Sequence, residues 1–123
     1  MAILDIAVDQ LEGKVPVTIL RVEGEVYAST QNILQDKAAE VIAAGASNIL
    51  IDLSGVNYMG SAGFKTIHAI TNMLDDSAFT EPSKSRHLKL LGPTDTVSRV
   101  IETLGFDVYL EIFHDQDEAV NSF

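Results

Sequence analysis

The stretch Asn48-Ile-Leu-Ile-Asp-Leu-Ser-Gly-Val-Asn-Tyr-Met-Gly-Ser61-Ala-Gly63-Phe64 limits this chain more than any other. Ile49, Leu50 and Ile51, followed by Leu53, read as a strand covered on both faces, which is the habit of a parallel sheet. From Ala62 to Leu74, Phe64, Ile67, Ile70, Thr71 and Leu74 recur at helical spacing and make one apolar stripe. A short loop between the two places Ser61 at or near the helix N-cap. Backbone N–H groups without partners and the positive end of the helix dipole meet there. A strand running straight into an amphipathic helix is the repeating unit of α/β domains.

The flanking sequence extends this unit in both directions. Leu4, Ile6 and Val8 alternate with Asp5, Ala7 and Asp9, as in a half-buried edge strand. After a turn at Glu12-Gly13-Lys14, the residues Val15, Val17, Ile19 and Val22 predict a second strand, antiparallel to the first. Gly24 to Ala28 leaves that strand, and Ser29 or Thr30 caps a helix with Ile33, Leu34, Ala38, Val41 and Ile42 inward and Gly45 at its end. Beyond the serine-led helix, residues 75–86 form the longest expected loop. His87 to Leu91 is the next strand. A helix with Val97, Val100, Ile101 and Leu104 inward follows and stops at Gly105. Val108 to Phe113 is the last strand, and Asp115 with Glu118 opens a short final helix. The order β-β-α-β-α-β-α-β-α predicts a single α/β domain over residues 1–123, with a mixed, mostly parallel sheet of about five strands and about four helices.

Charge and composition remove several functions. The chain has 123 residues and a formal net charge of −10, with eight Lys and Arg spread thinly. Nucleic-acid binding needs clustered cations, so no nucleic-acid partner is expected. No stretch approaches the ~20 apolar residues of a membrane span, and none reads as a secretory signal. The lack of cysteine excludes disulfides and thiol chemistry and fits a cytoplasmic location. His68, His87 and His114 have no metal-ligand spacing, so neither metal nor cofactor is expected, and His68 reads as a partly buried helix residue. Asp52 is expected at the carboxyl end of its strand, in turn contacts with Ser54 and Gly55. Ser61 as a catalytic nucleophile would need Gly at position 59, which is Met, and catalysis is not expected.

Four segments, in order, carry a family resemblance. They are Val22-Glu23-Gly24-Glu25-Val26, Ile49-Leu-Ile-Asp-Leu-Ser-Gly-Val56, Met59-Gly-Ser-Ala-Gly-Phe64, and Leu88-Lys-Leu-Leu-Gly-Pro93 with Val97 to Phe106. Nearly the whole chain resembles a STAS domain, the family of bacterial anti-sigma-factor antagonists and of the cytoplasmic tails of sulfate transporters. In the family, an anti-sigma factor with serine-kinase activity phosphorylates the serine of an Asp-Ser-Ser/Thr-Gly loop. The matching residue is Ser61. The resemblance implies that the unmodified form binds the kinase and frees the sigma factor, that the phosphorylated form lets go, and that a phosphatase is a further partner. Gly60 and Ala62 replace the family's flanking residues, and Tyr27 stands where an acidic residue is common.

Two readings of Ser61 follow. As an N-cap it contributes ~1 kcal/mol to the helix. As a phosphoacceptor it gains roughly 1.5 to 2 negative charges, favourable by ~0.3–1 kcal/mol at a helix N-terminus but several kcal/mol costly at a docked interface. The expected partner-binding face comprises Tyr27, Tyr58, Met59, Gly60, Ala62, Gly63, Phe64 and Lys65. One of Tyr58 and Met59 is expected in the core and the other outside. The alternative is a constitutive STAS interaction module, unphosphorylated, in a signalling scaffold or a transporter-associated complex.

Overall fold

The computed structural model describes residues 4–74 and 85–123. Strands β1 (Leu4–Glu12) and β2 (Pro16–Val26) form an antiparallel hairpin. Then come α1 (Gln31–Ala43), β3 (Ile49–Met59), α2 (Ser61–Leu74), β4 (Leu88–Leu91), α3 (Asp95–Leu104), a 3-10 turn at Phe106–Val108, β5 (Ile112–Phe113) and α4 (Gln116–Val120). The strands lie side by side in chain order, and every pair after the hairpin is parallel. The architecture is the expected mixed, mostly parallel α/β sheet with four α-helices among the described residues.

Strand alternation sorts the side chains into two layers. Ile49, Ile51, Leu53, Val56 and Met59 of β3 pack with Leu34 and Ala38 of α1, Phe64, Ile67 and Ile70 of α2, and Val97 and Ile101 of α3. Leu50 faces the other way and joins Val17, Ile19, Leu91, Ala119 and Val120. Each buried Leu or Ile contributes about 1.5–3 kcal/mol. The helix-covered face therefore dominates stability, and α4 closes the smaller one.

The smaller layer also holds charge. Asp52 accepts from Ser54 N–H at 3.0 Å, Ser54 Oγ at 2.7 Å and Arg21 Nη1 at 3.0 Å. Arg21 also donates to Asp9 and to Gln116 Oε1. The Asp9 hydrogen bond raises the Arg21 pKa against the opposing effect of burial, with Asp52 adding to the rise, so the guanidinium stays charged. Buried Lys89 donates to the Ser122 carbonyl at 2.9 Å and lies 4.8 Å from the Phe123 ring centroid.

Several expectations change. Asp52 makes its contact with Ser54 from inside β3, because the strand continues to Met59. Likewise β2 runs on through Gly24 to Val26. The last strand shrinks to Ile112–Phe113. Gly105 takes a left-handed φ of +77° that ends α3, and the chain then coils into the 3-10 turn. Leu104 and Ile33 are exposed, at the margins of apolar stripes filled by Ile101 and by Leu34. His68 is exposed. Asp115 caps α4 as expected, accepting from Glu118 N–H at 3.0 Å. The loop expected over residues 75–86 lies, up to 84, outside the described residues.

Replacing Asp52 with Ala leaves Arg21 and the Ser54 amide without this acceptor. Arg21 is about one-third exposed and solvent screens part of the loss. Urea denaturation of Asp52→Ala should therefore show a loss of about 1.5–3 kcal/mol, short of the ~3–5 of a fully buried pair.

Candidate protein-interaction site around Ser61

β2 and β3 stay paired to their ends, with Val26 opposite Met59. Gly60 N–H donates to the Val26 carbonyl at 2.8 Å, so the loop before α2 is one residue long. The Gly60 carbonyl accepts from Gly63 N–H at 3.0 Å and Phe64 N–H at 3.4 Å, which makes Gly60 the helix cap.

Ser61 is therefore the first residue of α2, and it is exposed. Ser61 thus lies near the N-cap as expected, one residue past it, and Gly60 holds the cap position itself. The Ser61 hydroxyl makes no hydrogen bond among the described residues. The amides of Ser61 and Ala62 likewise have no backbone acceptor among them. The first turn holds no acidic residue, and exposed Lys65 lies one turn on, on the same side of the helix. Donors and positive potential thus surround an uncommitted hydroxyl.

The expected binding residues separate into two groups. Met59 and Phe64 are 3% and 2% exposed, and Gly63 is buried. They lie beneath the surface, because strand alternation turns Met59 inward and the helical stripe carries Gly63 and Phe64 to the core. A Cβ at Gly63 would stand 2.6 Å from Met59 Cγ and 2.8 Å from Val26 Cγ1. Tyr58 points outward and is 50% exposed. Its ring centroid lies 6.4 Å from that of half-buried Tyr27, at a 59° tilt. Of the expected residues, Tyr58 and Lys65 are exposed and Tyr27, Gly60 and Ala62 are half-buried, and they surround exposed Ser61.

Two contributors escaped the sequence reading. Thr30 occupies the α1 cap position without capping the helix. Its hydroxyl donates to the Glu25 carbonyl at 2.7 Å and accepts from Tyr27 N–H at 3.1 Å, holding the turn that presents Tyr27. Glu25 is exposed and sits opposite Tyr58 in the β2–β3 register. The longer strands supply that register, and no local motif announces it.

His87 bonds Asn48 Oδ1 at 3.0 Å, and His114 lies beyond β5 at the far sheet edge. A cleft of about 390 Å³ is lined by Glu111, Ile112, Phe113, His114, Asp115 and Glu118, away from Ser61. No group of three or more His, Asp or Glu among the described residues could hold a metal ion.

The model of the STAS domain matches residues 10–119. The chain belongs to the STAS domain family. Anti-sigma-F factor antagonist RsfB of Mycobacterium tuberculosis is 25% identical over 104 residues, covering 85% of this chain and 79% of RsfB. An anti-sigma factor antagonist from Mycobacterium paratuberculosis superposes with a TM-score of 0.80 at 24% identity, covering 97% of this chain and 92% of that one. The Bacillus cell-fate determinant SpoIIAA, in its phosphorylated form, gives a TM-score of 0.66 at 19% identity, over 95% of this chain and 97% of SpoIIAA. The STAS fold of this chain thus stands on its sequence family and on structural likeness together.

The two glycines of the STAS loop should respond differently to alanine. Gly63→Ala forces a methyl into packed Met59 and Val26 and should cost about 1–3 kcal/mol in chemical denaturation. Gly60→Ala meets only the outer end of the Tyr58 side chain, at 3.2 Å, and should cost less than about 0.5 kcal/mol.

Proposed function

We propose that this chain is an anti-sigma-factor antagonist-like binding module that engages an anti-sigma factor and is switched by phosphorylation of Ser61. The observation that carries this reading is the Ser61 hydroxyl, exposed at the first position of α2 and without a hydrogen bond among the described residues. The match to an anti-sigma-F factor antagonist over 85% of the chain supports the partner class. A structural neighbour recorded in a phosphorylated form supports the switch. The partner has serine-kinase activity, and a phosphatase resets the site. The protein itself is a binding module without catalysis and acts in the cytoplasm. Its net charge of −10 argues against a nucleic-acid partner.

The switch works by charge at the contact face. A phosphate on Ser61 breaks no hydrogen bond among the described residues, and the amides of Ser61 and Ala62 receive it. At a docked interface the same ~1.5 to 2 charges must be desolvated. Tyr58, half exposed beside the serine, and Lys65 supply contact surface.

Phosphoserine incorporated at position 61 tests this directly against the anti-sigma factors encoded in the same genome. Affinity should fall by about a hundredfold, equivalent to ~2.7 kcal/mol, while the melting temperature shifts by less than about 5 °C. Lys65→Glu should weaken binding of the unmodified form without unfolding it. Intact-mass measurement of protein from its native cells should find a phosphate-sized addition that Ser61→Ala abolishes. Tight binding indifferent to the phosphate would instead make the chain a constitutive interaction module.

A further inference from the structure

Gly60 is not required by its own backbone, because its φ lies outside the left-handed region. Tyr58 fills the side-chain space at position 60. A Cβ there would stand 3.2 Å from the Tyr58 hydroxyl, 3.5 Å from Cε2 and 3.7 Å from Cζ. The ring therefore folds forward over the loop, with the Tyr27 ring on it at 6.4 Å. Thr30 in turn holds the Tyr27 backbone. Exposed side chains ordinarily exchange rotamers within nanoseconds. This one is half exposed, yet it rests between a glycine backbone and a second ring.

Fixing a large side chain before docking removes its ordering cost from binding. Tyrosine suits such a role, since it offers much contact area for two χ angles and is enriched among the residues that dominate interface energies. Here the orientation depends on the absence of a side chain at residue 60.

We propose that Tyr58 is the preorganised anchor of the binding face and that Gly60 is its seat. The exposed half of the ring, lying over the loop, packs against the anti-sigma factor. The proposal rests on the antagonist reading above and deepens it by naming the residue pair that sets partner choice. An alanine methyl at position 60 pushes the ring end off its seat by a few tenths of an ångström, and a larger side chain pushes it further, while the core beneath stays intact. Met59, Gly63 and Phe64, which form that core, do not touch the partner.

The test is calorimetric titration of the full chain and its variants with each anti-sigma factor of the same genome. Y58L, which keeps apolar bulk but loses the ring, should weaken binding at least about tenfold. Y58F, which loses only the hydroxyl, should weaken it by a smaller factor. G60A should weaken binding at an unchanged melting temperature, and should add nothing in a Y58L background. Wild-type affinity in Y58L overturns the anchor, as does a G60A loss of equal size with and without Tyr58. If the wild-type chain binds none of these factors, the antagonist reading fails and the anchor fails with it. That result is distinct from binding that Tyr58 does not influence.

Discussion

Helix α2 meets the ends of β2 and β3 through a contact that has no room for a side chain. At Gly63 a Cβ would run into Met59 and Val26, two core residues that face each other in the β2–β3 register. This approach fixes the height and direction of the helix as it leaves the sheet. Gly60 completes the joint by donating to the Val26 carbonyl and accepting the first helical hydrogen bonds. Core packing and backbone bonds therefore hold Ser61 in place, and its side chain takes no part. A side chain released from structural duty in this way can be modified without cost to the fold.

The site layers itself by two periodicities. Strand alternation turns Met59 inward and Tyr58 outward at neighbouring positions. The helical period then sends Gly63, Phe64 and Ile67 to the core and leaves Ser61, Lys65 and His68 outside. Phe64 stacks on Phe106 at 5.5 Å, so the helix start is braced from below by the segment that follows α3. The buried group supplies stiffness and the exposed group supplies chemistry. The two respond to different measurements, denaturation for one and affinity for the other.

The legible parts of the sequence were those with strong local pattern. The apolar run of β3, the stripe of α2 and the turn at Gly105 each carry their own signal, and the structure has all three. Tyr58 and Met59 split between surface and core as alternation requires. Length was harder to read. Ser54, Gly55 and Asn57 look like a turn, but pairing with β2 keeps them in the strand, accommodated by register shifts near Gly24. The fragment from Val108 to Phe113 has strand-like residues, but its first part is drawn into the 3-10 turn behind Gly105. Ser61 looked like a cap because serine favours that position. The extension of β3 moved the cap to Gly60, and a local preference could not foresee a tertiary pairing. The meeting of Tyr27 with Tyr58, far apart in sequence, likewise follows only from the β2–β3 register.

The acidity of the chain bears on a phosphate at Ser61 less than the net charge of −10 suggests. Charges beyond ~8–10 Å are largely screened at physiological salt, so the immediate surroundings decide. Among the described residues those surroundings are two amides without a backbone acceptor, a first helical turn without acidic residues, and Lys65 one turn on, set against exposed Glu25 opposite Tyr58 on β2. The helix start itself favours an anion, within a molecule that as a whole repels one. The free protein can therefore carry the modification with little strain. On the proposed reading, a partner pressed against Tyr58 and Ala62 would remove the water that solvates the phosphate and meet the charge at close range. That asymmetry is what the proposed switch at the helix start would use: the fold would be indifferent to the charge, and the docked surface would not.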